Sequence, residues 1–163
     1  MAQNPHPEQK RRVGETDGGA VVVRDDGGLE AQYDEDRLAA LRAVLEPRTL
    51  RILQQLLASE TGALSPKEVA FRNNDITEST VRDHLRSLTD RDLVEKLEPE
   101  VETVPNRIPR TYYAVSEYGI ELLKQVGMYD GLAILYQVYQ RMDRPEEIRI
   151  IEEWENRPRP DWL

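Results

Sequence analysis

Along residues 78–91 of the 163-residue chain, Ser79, Arg82, Asp83 and Arg86 recur on one side of a helical period, opposite Val81, Leu85 and Leu88. Thr77 stands where a capping hydroxyl belongs at the start of such a helix. A guanidinium presents a planar fork of donors to paired acceptors such as those of a carboxylate or a phosphate. The same spacing lets Glu78 pair with Arg82, and Asp83 with Arg86, within the helix. The face therefore reads either as a surface for an acceptor-rich partner or as a solvated, ion-paired surface.

Catalytic chemistry has no comparable foothold. There is no Gly-rich phosphate loop, no Ser/His/Asp order, no HExxH and no paired acidic motif in a context that organises catalysis, so no catalytic residue and no cofactor are expected. The chain has no cysteine, which excludes disulfides, thiolate metal sites and a Cys nucleophile, and only His6 and His84 carry imidazoles. No metal site is expected. His84, between Asp83 and Leu85 on a helix shoulder, reads as a partly buried packing residue in preference to a ligand.

Net charge is -9, with hydrophobic residues at 39% and charged residues at 33%. Acidity argues against a nucleic-acid partner, because such affinity comes largely from Lys and Arg neutralising phosphates. Its distribution weakens that objection: segments 1–35 and 117–163 each carry -4, whereas 36–63 carries +1 and 64–116 carries -2. Of the 22 basic residues only Lys10, Lys67, Lys96 and Lys124 are lysine. A Lys-poor acidic surface reads as adaptation to a very salty cytoplasm, where the Debye length is about 3 Å at about 1 M salt and remote charge hardly matters. No apolar run approaches the roughly 18 residues of a membrane span, and Met1–Pro7 lacks the pattern of a secretory signal. A cytoplasmic location without membrane contact is expected.

Four helices and two strands are needed to position the polar face. Leu38, Leu41 and Leu45 mark an amphipathic helix ending before Pro47, and Leu50, Leu53 and Leu57 mark a second over 47–58. Ser65-Pro66-Lys67-Glu68 combines an N-cap, a proline at the first helical position and a capping-box glutamate. The short helix it starts runs into the polar turn Asn73-Asn74-Asp75, residue types that tolerate left-handed backbone. After the helix capped by Thr77, residues 93–98 and 110–115 read as a hairpin with a long Pro-containing tip. Tyr112 and Tyr113 alternate across its last strand, one expected inward and one outward. Ser116 caps a further helix, Met128, Leu132, Leu135, Tyr139 and Met142 follow a heptad seam, and Pro145 starts a last amphipathic segment. Residues 1–33 read as a disordered tail; Ala20–Arg24, bracketed by glycine pairs, reads as a sticky spot in a flexible arm in preference to a short strand.

Val69-Ala70, the run Ile76–Leu88, Leu93-Val94 and Arg110–Gly119 together resemble winged helix-turn-helix transcriptional regulators of the ArsR-like, PadR-like and MarR-like group, and most resemble small regulators of halophilic archaea. The likeness covers about half the chain. Asn73-Asn74-Asp75 and Asp92 stand where that group usually has glycine. The implied architecture is mainly α with a small β-hairpin wing: a domain over 34–116, a C-terminal helical dimerisation region over 117–156 and a tail over 157–163.

The resemblance further implies double-stranded DNA as partner, with helix 78–91 in the major groove. Thr77, Ser79 and Thr80 would then meet phosphate or bases, and Arg82 and Arg86 would take guanine or phosphate. Asp83 would accept from cytosine or pair with a neighbouring Arg. In the wing, Asn106, Arg107 and Arg110 would reach backbone or minor groove, with loop solubility as the rival role. The seam of Met128, Leu132, Leu135, Tyr139 and Met142, with Tyr136 beside it, is either a homodimer face or a helix packed on the domain's own first helix; two half-sites favour the dimer. Repression is the commoner outcome of such binding, no effector is readable, and a protein-interaction module without DNA binding is the alternative.

Overall fold

The computed structural model describes residues 34–163 and, before them, the backbone of three short strands. These are β1 (Gly14–Thr16), β2 (Gly19–Val23) and β3 (Leu29–Ala31), an antiparallel meander in the order β1-β2-β3. These strands fall within the stretch that reads from sequence as a disordered tail. Its centre is the β-branched run Val21-Val22-Val23, and the register pairs Thr16 with Gly19. The rest of 1–33, including His6, lies outside the described residues. Residues 1–39 and 40–163 form separate compact units.

The second unit holds the core. α1 (Glu35–Leu45) is followed after one residue by α2 (Pro47–Leu57). Glu46 caps α2: its carboxylate accepts from the Thr49 backbone N–H at 2.8 Å, which holds its pKa below the usual range. Ile52, Leu53 and Leu56 of α2 are fully buried, each contributing about 1.5–3 kcal/mol by leaving water. β4 (Ala63–Leu64) leads into α3 (Pro66–Arg72), whose capping box forms as the sequence reads: Ser65 Oγ accepts from Glu68 N, and Glu68 accepts from Ser65 N at 2.7 Å. Then come α4 (Glu78–Asp90), β5 (Val94–Leu97), β6 (Tyr112–Val115), α5 (Glu117–Gln125), α6 (Leu132–Gln140) and α7 (Glu146–Glu152).

The hairpin expected from sequence is present, but β4 adds a strand, giving the order β4-β6-β5 with β6 in the middle. Alternation along β6 sends Tyr113 and Val115 to the main helical core and Tyr112 and Ala114 to a second cluster with Ala63 and Ile151. The sheet is thus covered on both faces, the second time by α7. Tyr112 is fully buried, and desolvation pushes its phenol up to about 12; Tyr113 is half-buried and not outward as expected.

Two local substitutions for glycine behave differently. Asp92 takes φ 58°, the left-handed position after α4, where Asp92 N donates to Thr89 O and Leu93 N to Leu88 O, both at 3.0 Å. This is a Schellman closure with aspartate at the usual glycine site. Asp92→Gly is expected to stabilise the fold by about 0.5–1 kcal/mol, read as a higher denaturant midpoint with unchanged slope. Asn73, in contrast, has φ -129°, so left-handed backbone is not why it is there. Its side chain is buried and exchanges two hydrogen bonds with Gln55 of α2, at 2.6 and 3.0 Å, and donates to Val69 O at 2.7 Å. The turn is held by that amide pair. At Gly119 a Cβ would fall 2.4 Å from Leu93 O, so a glycine is needed there for α5 to approach β5.

Residues of the segment 157–163, which reads from sequence as a tail, contact the domain. Arg157 is buried, and Trp162 Nε1 donates to Val115 O at 2.8 Å. An Arg-Pro-rich end carries no periodic signal that would announce this docking.

Candidate nucleic-acid interface

α3, the 73–77 turn and α4 form the helix-turn-helix, with β5 and β6 as the wing strands. Val81, Leu85 and Leu88 bury one side of α4 in the core, which fixes its opposite side toward solvent. Thr77 Oγ1 accepts from Thr80 N at 3.2 Å and lies 3.0 Å from the Thr80 hydroxyl, so one helix end carries both threonines. Thr77, Ser79, Arg82, Asp83 and Arg86 are exposed and Thr80 is half-buried.

Both ion pairs weighed against a binding role are present. Arg82 Nη2 donates to Glu78 Oε1 at 2.7 Å and Arg86 Nη1 to Asp83 Oδ1 at 3.4 Å. Exposed pairs at this spacing contribute only about 0.3–0.5 kcal/mol. A charge-assisted contact with phosphate or a base edge can replace them at little cost. His84 has the structural role expected of it: its Nε2 lies 3.2 Å from Thr49 Oγ1 and 3.7 Å from the Glu46 carboxylate, tying α4 to the start of α2. Near the turn, the Arg51 guanidinium donates to Asp75 at 3.0 Å and holds that carboxyl below its usual range. Sequence reading missed this link because its partners are 24 residues apart.

Among the described residues no such bond joins the wing residues to the face of α4. Asn106, Arg107 and Arg110 are exposed, but Ile108 between them is buried, and residues 105–108 form a hollow with Ile150, Glu153 and Trp154. Arg107 Nη1 stands 4.0 Å from Glu146 at the start of α7. Among the described residues Arg110 has no ion-pair partner. The wing loop thus lies back on α7, with Arg110 the least engaged of its cations.

α6 carries apolar residues on two sides. Leu132, Leu135, Tyr139 and Met142 of the seam are half-buried on the side that meets α2, with Gln54 Nε2 donating to Met128 O at 3.1 Å. Ile134 and Val138, outside the seam, are 68% and 54% exposed, and Tyr136 and Met128 are exposed as well.

A helix-turn-helix domain model matches residues 44–96. A solved protein from Halomicrobium mukohataei with a GntR superfamily winged-helix-turn-helix domain is 38% identical over 83% of this chain and 94% of that one, with a TM-score of 0.75. The chain belongs to the GntR-superfamily winged helix-turn-helix proteins. A MarR-family regulator from Enterococcus faecalis V583 is 18% identical over 71% of this chain and 98% of that one, with a TM-score of 0.49. No curated protein matches. The fold and family of this winged helix-turn-helix protein are those of DNA-binding transcriptional regulators, and its 38% relative comes from a halophilic archaeon, in line with the resemblance read from the residues. No helix among the described residues is long and apolar enough to cross a membrane.

Proposed function

We propose that this protein is a homodimeric, sequence-specific regulator of transcription, acting in a salt-rich cytoplasm, that lays α4 in the major groove and the 99–110 loop along the backbone or minor groove. The observation that carries the reading is the exposed face of α4, where Arg82 and Arg86 are held only by weak intrahelical pairs on a helix whose other side is locked in the core. Thr77, Ser79 and Thr80 supply short polar contacts, and Arg110 with Asn106 and Arg107 supplies the wing. Block of transcription by occupancy is the proposed outcome.

The dimer uses the outer side of α6. The seam side already meets α2, so a second copy is offered Ile134 and Val138, with Tyr136 at the flank. Replacing both aliphatics by glutamate in Ile134→Glu/Val138→Glu removes about 1.5–3 kcal/mol of burial per residue. Light scattering behind a sizing column should then report a monomer at concentrations where the parent is dimeric.

The test of DNA binding is anisotropy with the protein's own promoter and a scrambled duplex, from low salt to about 1 M, where the Debye length is about 3 Å. Saturable preference for the promoter is expected, with a footprint of two halves about 34–36 Å apart. Absence of binding to promoter and genomic fragments at every salt would sink the reading and leave the interaction-module alternative, which the net charge of -9 favours.

A further inference from the structure

A cavity of about 280 Å³ lies behind the helix-turn-helix, where α3, α6 and α7 meet. Arginine and glutamate both line it, but their partners are unevenly supplied. Glu68 is committed to Ser65 and to Arg157 at 2.6 Å. Glu152 accepts from Arg144 Nε at 2.7 Å, and the terminal nitrogens of Arg144 donate to backbone oxygens, among them Tyr139 O at 2.7 Å and Met142 O at 2.9 Å. Arg72 is left over. Its side chain is only 8% exposed, the nearest carboxylate oxygen, on Glu152, is 3.9 Å away and beyond hydrogen-bond reach, and Nη1 has no acceptor among the described residues. It stacks at 4.5 Å on the ring of Tyr139. Burial pushes its pKa below the usual arginine value, yet a guanidinium does not shed its proton, so the site retains an undersupplied cation. Arg149 also lines the cavity; it is exposed and has no ion-pair partner among the described residues.

We propose that this cavity is an effector site for a small organic carboxylate, which accepts from Arg72 and Arg149 and rests its body against Tyr136 and Tyr139. The tyrosine walls favour an organic body over a bare inorganic ion, and the rim carboxylates Glu60 and Glu153 favour a single negative charge over two.

The site adjoins the part of the fold that sets the angle between α3 and α4. Arg72 is the last residue of α3, directly before Asn73. The Tyr139 phenol faces the Gln55 side chain, and Gln55 is the residue that holds Asn73. A carboxylate that draws Arg72 from Tyr139 therefore acts on the turn and changes how α4 is presented. That coupling rests on the DNA-binding function proposed above; the ligand site does not.

The test is calorimetric titration of the full chain, without DNA, with sodium benzoate, sodium acetate, phosphate and the neutral analogue benzamide at constant ionic strength. Benzoate should saturate one site per chain, and benzamide should bind at least roughly tenfold more weakly, as loss of a charge-assisted hydrogen bond requires. Arg149→Gln, an exposed change, should weaken benzoate several-fold with an unaltered melting temperature, and Arg72→Gln should abolish binding. Failure of both carboxylates to saturate, equal binding of benzamide, tighter binding of phosphate, or retention of benzoate affinity in both variants overturns the site. Promoter affinity that is the same with and without saturating benzoate overturns the coupling. Benzoate binding by a protein that ignores DNA refutes the regulator function instead.

Discussion

Replacing Arg157 with alanine is expected to lower the free energy of unfolding by about 3–5 kcal/mol, because one member of a buried ion pair is removed and the other stays behind. Arg157 Nη1 donates to Glu68 Oε1 at 2.6 Å and to Ile151 O at 3.0 Å, Nη2 donates to Ala63 O at 2.9 Å, and the guanidinium stands 5.2 Å from the Tyr112 ring. The side chains of Arg157 and Glu68 are 5% and 1% exposed. The variant strands a carboxylate and two backbone oxygens at the junction of α3, β4 and α7. Urea denaturation at fixed high salt measures the loss. The double change Glu68→Gln/Arg157→Met, which leaves no unpaired charge, should recover a substantial part of it; a double variant no more stable than Arg157→Ala would place the effect in packing and not in charge.

The second large effect is on binding. Arg82→Ala and Arg86→Ala should each cost about 1–3 kcal/mol of specific promoter affinity if the guanidinium reads a base, and the loss should be greatest at the base it reads. If either contacts phosphate instead, affinity falls alike for promoter and scrambled duplex, and the slope of log affinity against log salt shrinks by about 1 per residue. Each removes only an exposed intrahelical pair, so the melting temperature should hardly move. Equal affinities of parent and double variant on promoter DNA would exclude α4 as the reading element.

What the chain declares locally is what could be read in advance. The capping box at Ser65 and Glu68, the Thr77 cap and the apolar stripe of α4 are written within a few residues, so they specify both the helices and the outward face. Asn73 was legible as a turn residue but not for its reason, since Gln55 lies 18 positions away. The seam on α6 had the right spacing, but a helix with apolar residues on two sides does not say which side faces home. Long-range partners explain the remaining surprises: Arg157 finds Glu68 across 89 residues, and the wing tip finds α7. Val21-Val22-Val23 carries the β-branched signal of a strand, but the glycine pairs on either side favour a flexible arm in the sequence.

The glutamate that closes the capping box of α3 is the same one that receives Arg157. During synthesis, at about 5–20 residues per second, α3 and α4 emerge well before that arginine exists. A nascent chain holding residues 64–116 thus has α3 and α4 but an unfinished support, and a Glu68 carboxylate still without its counter-ion. Loop closure over that span is slow relative to the local helices. A chain cut short of residue 157 therefore carries the helix-turn-helix without the arginine that bridges α3, β4 and α7 beneath it.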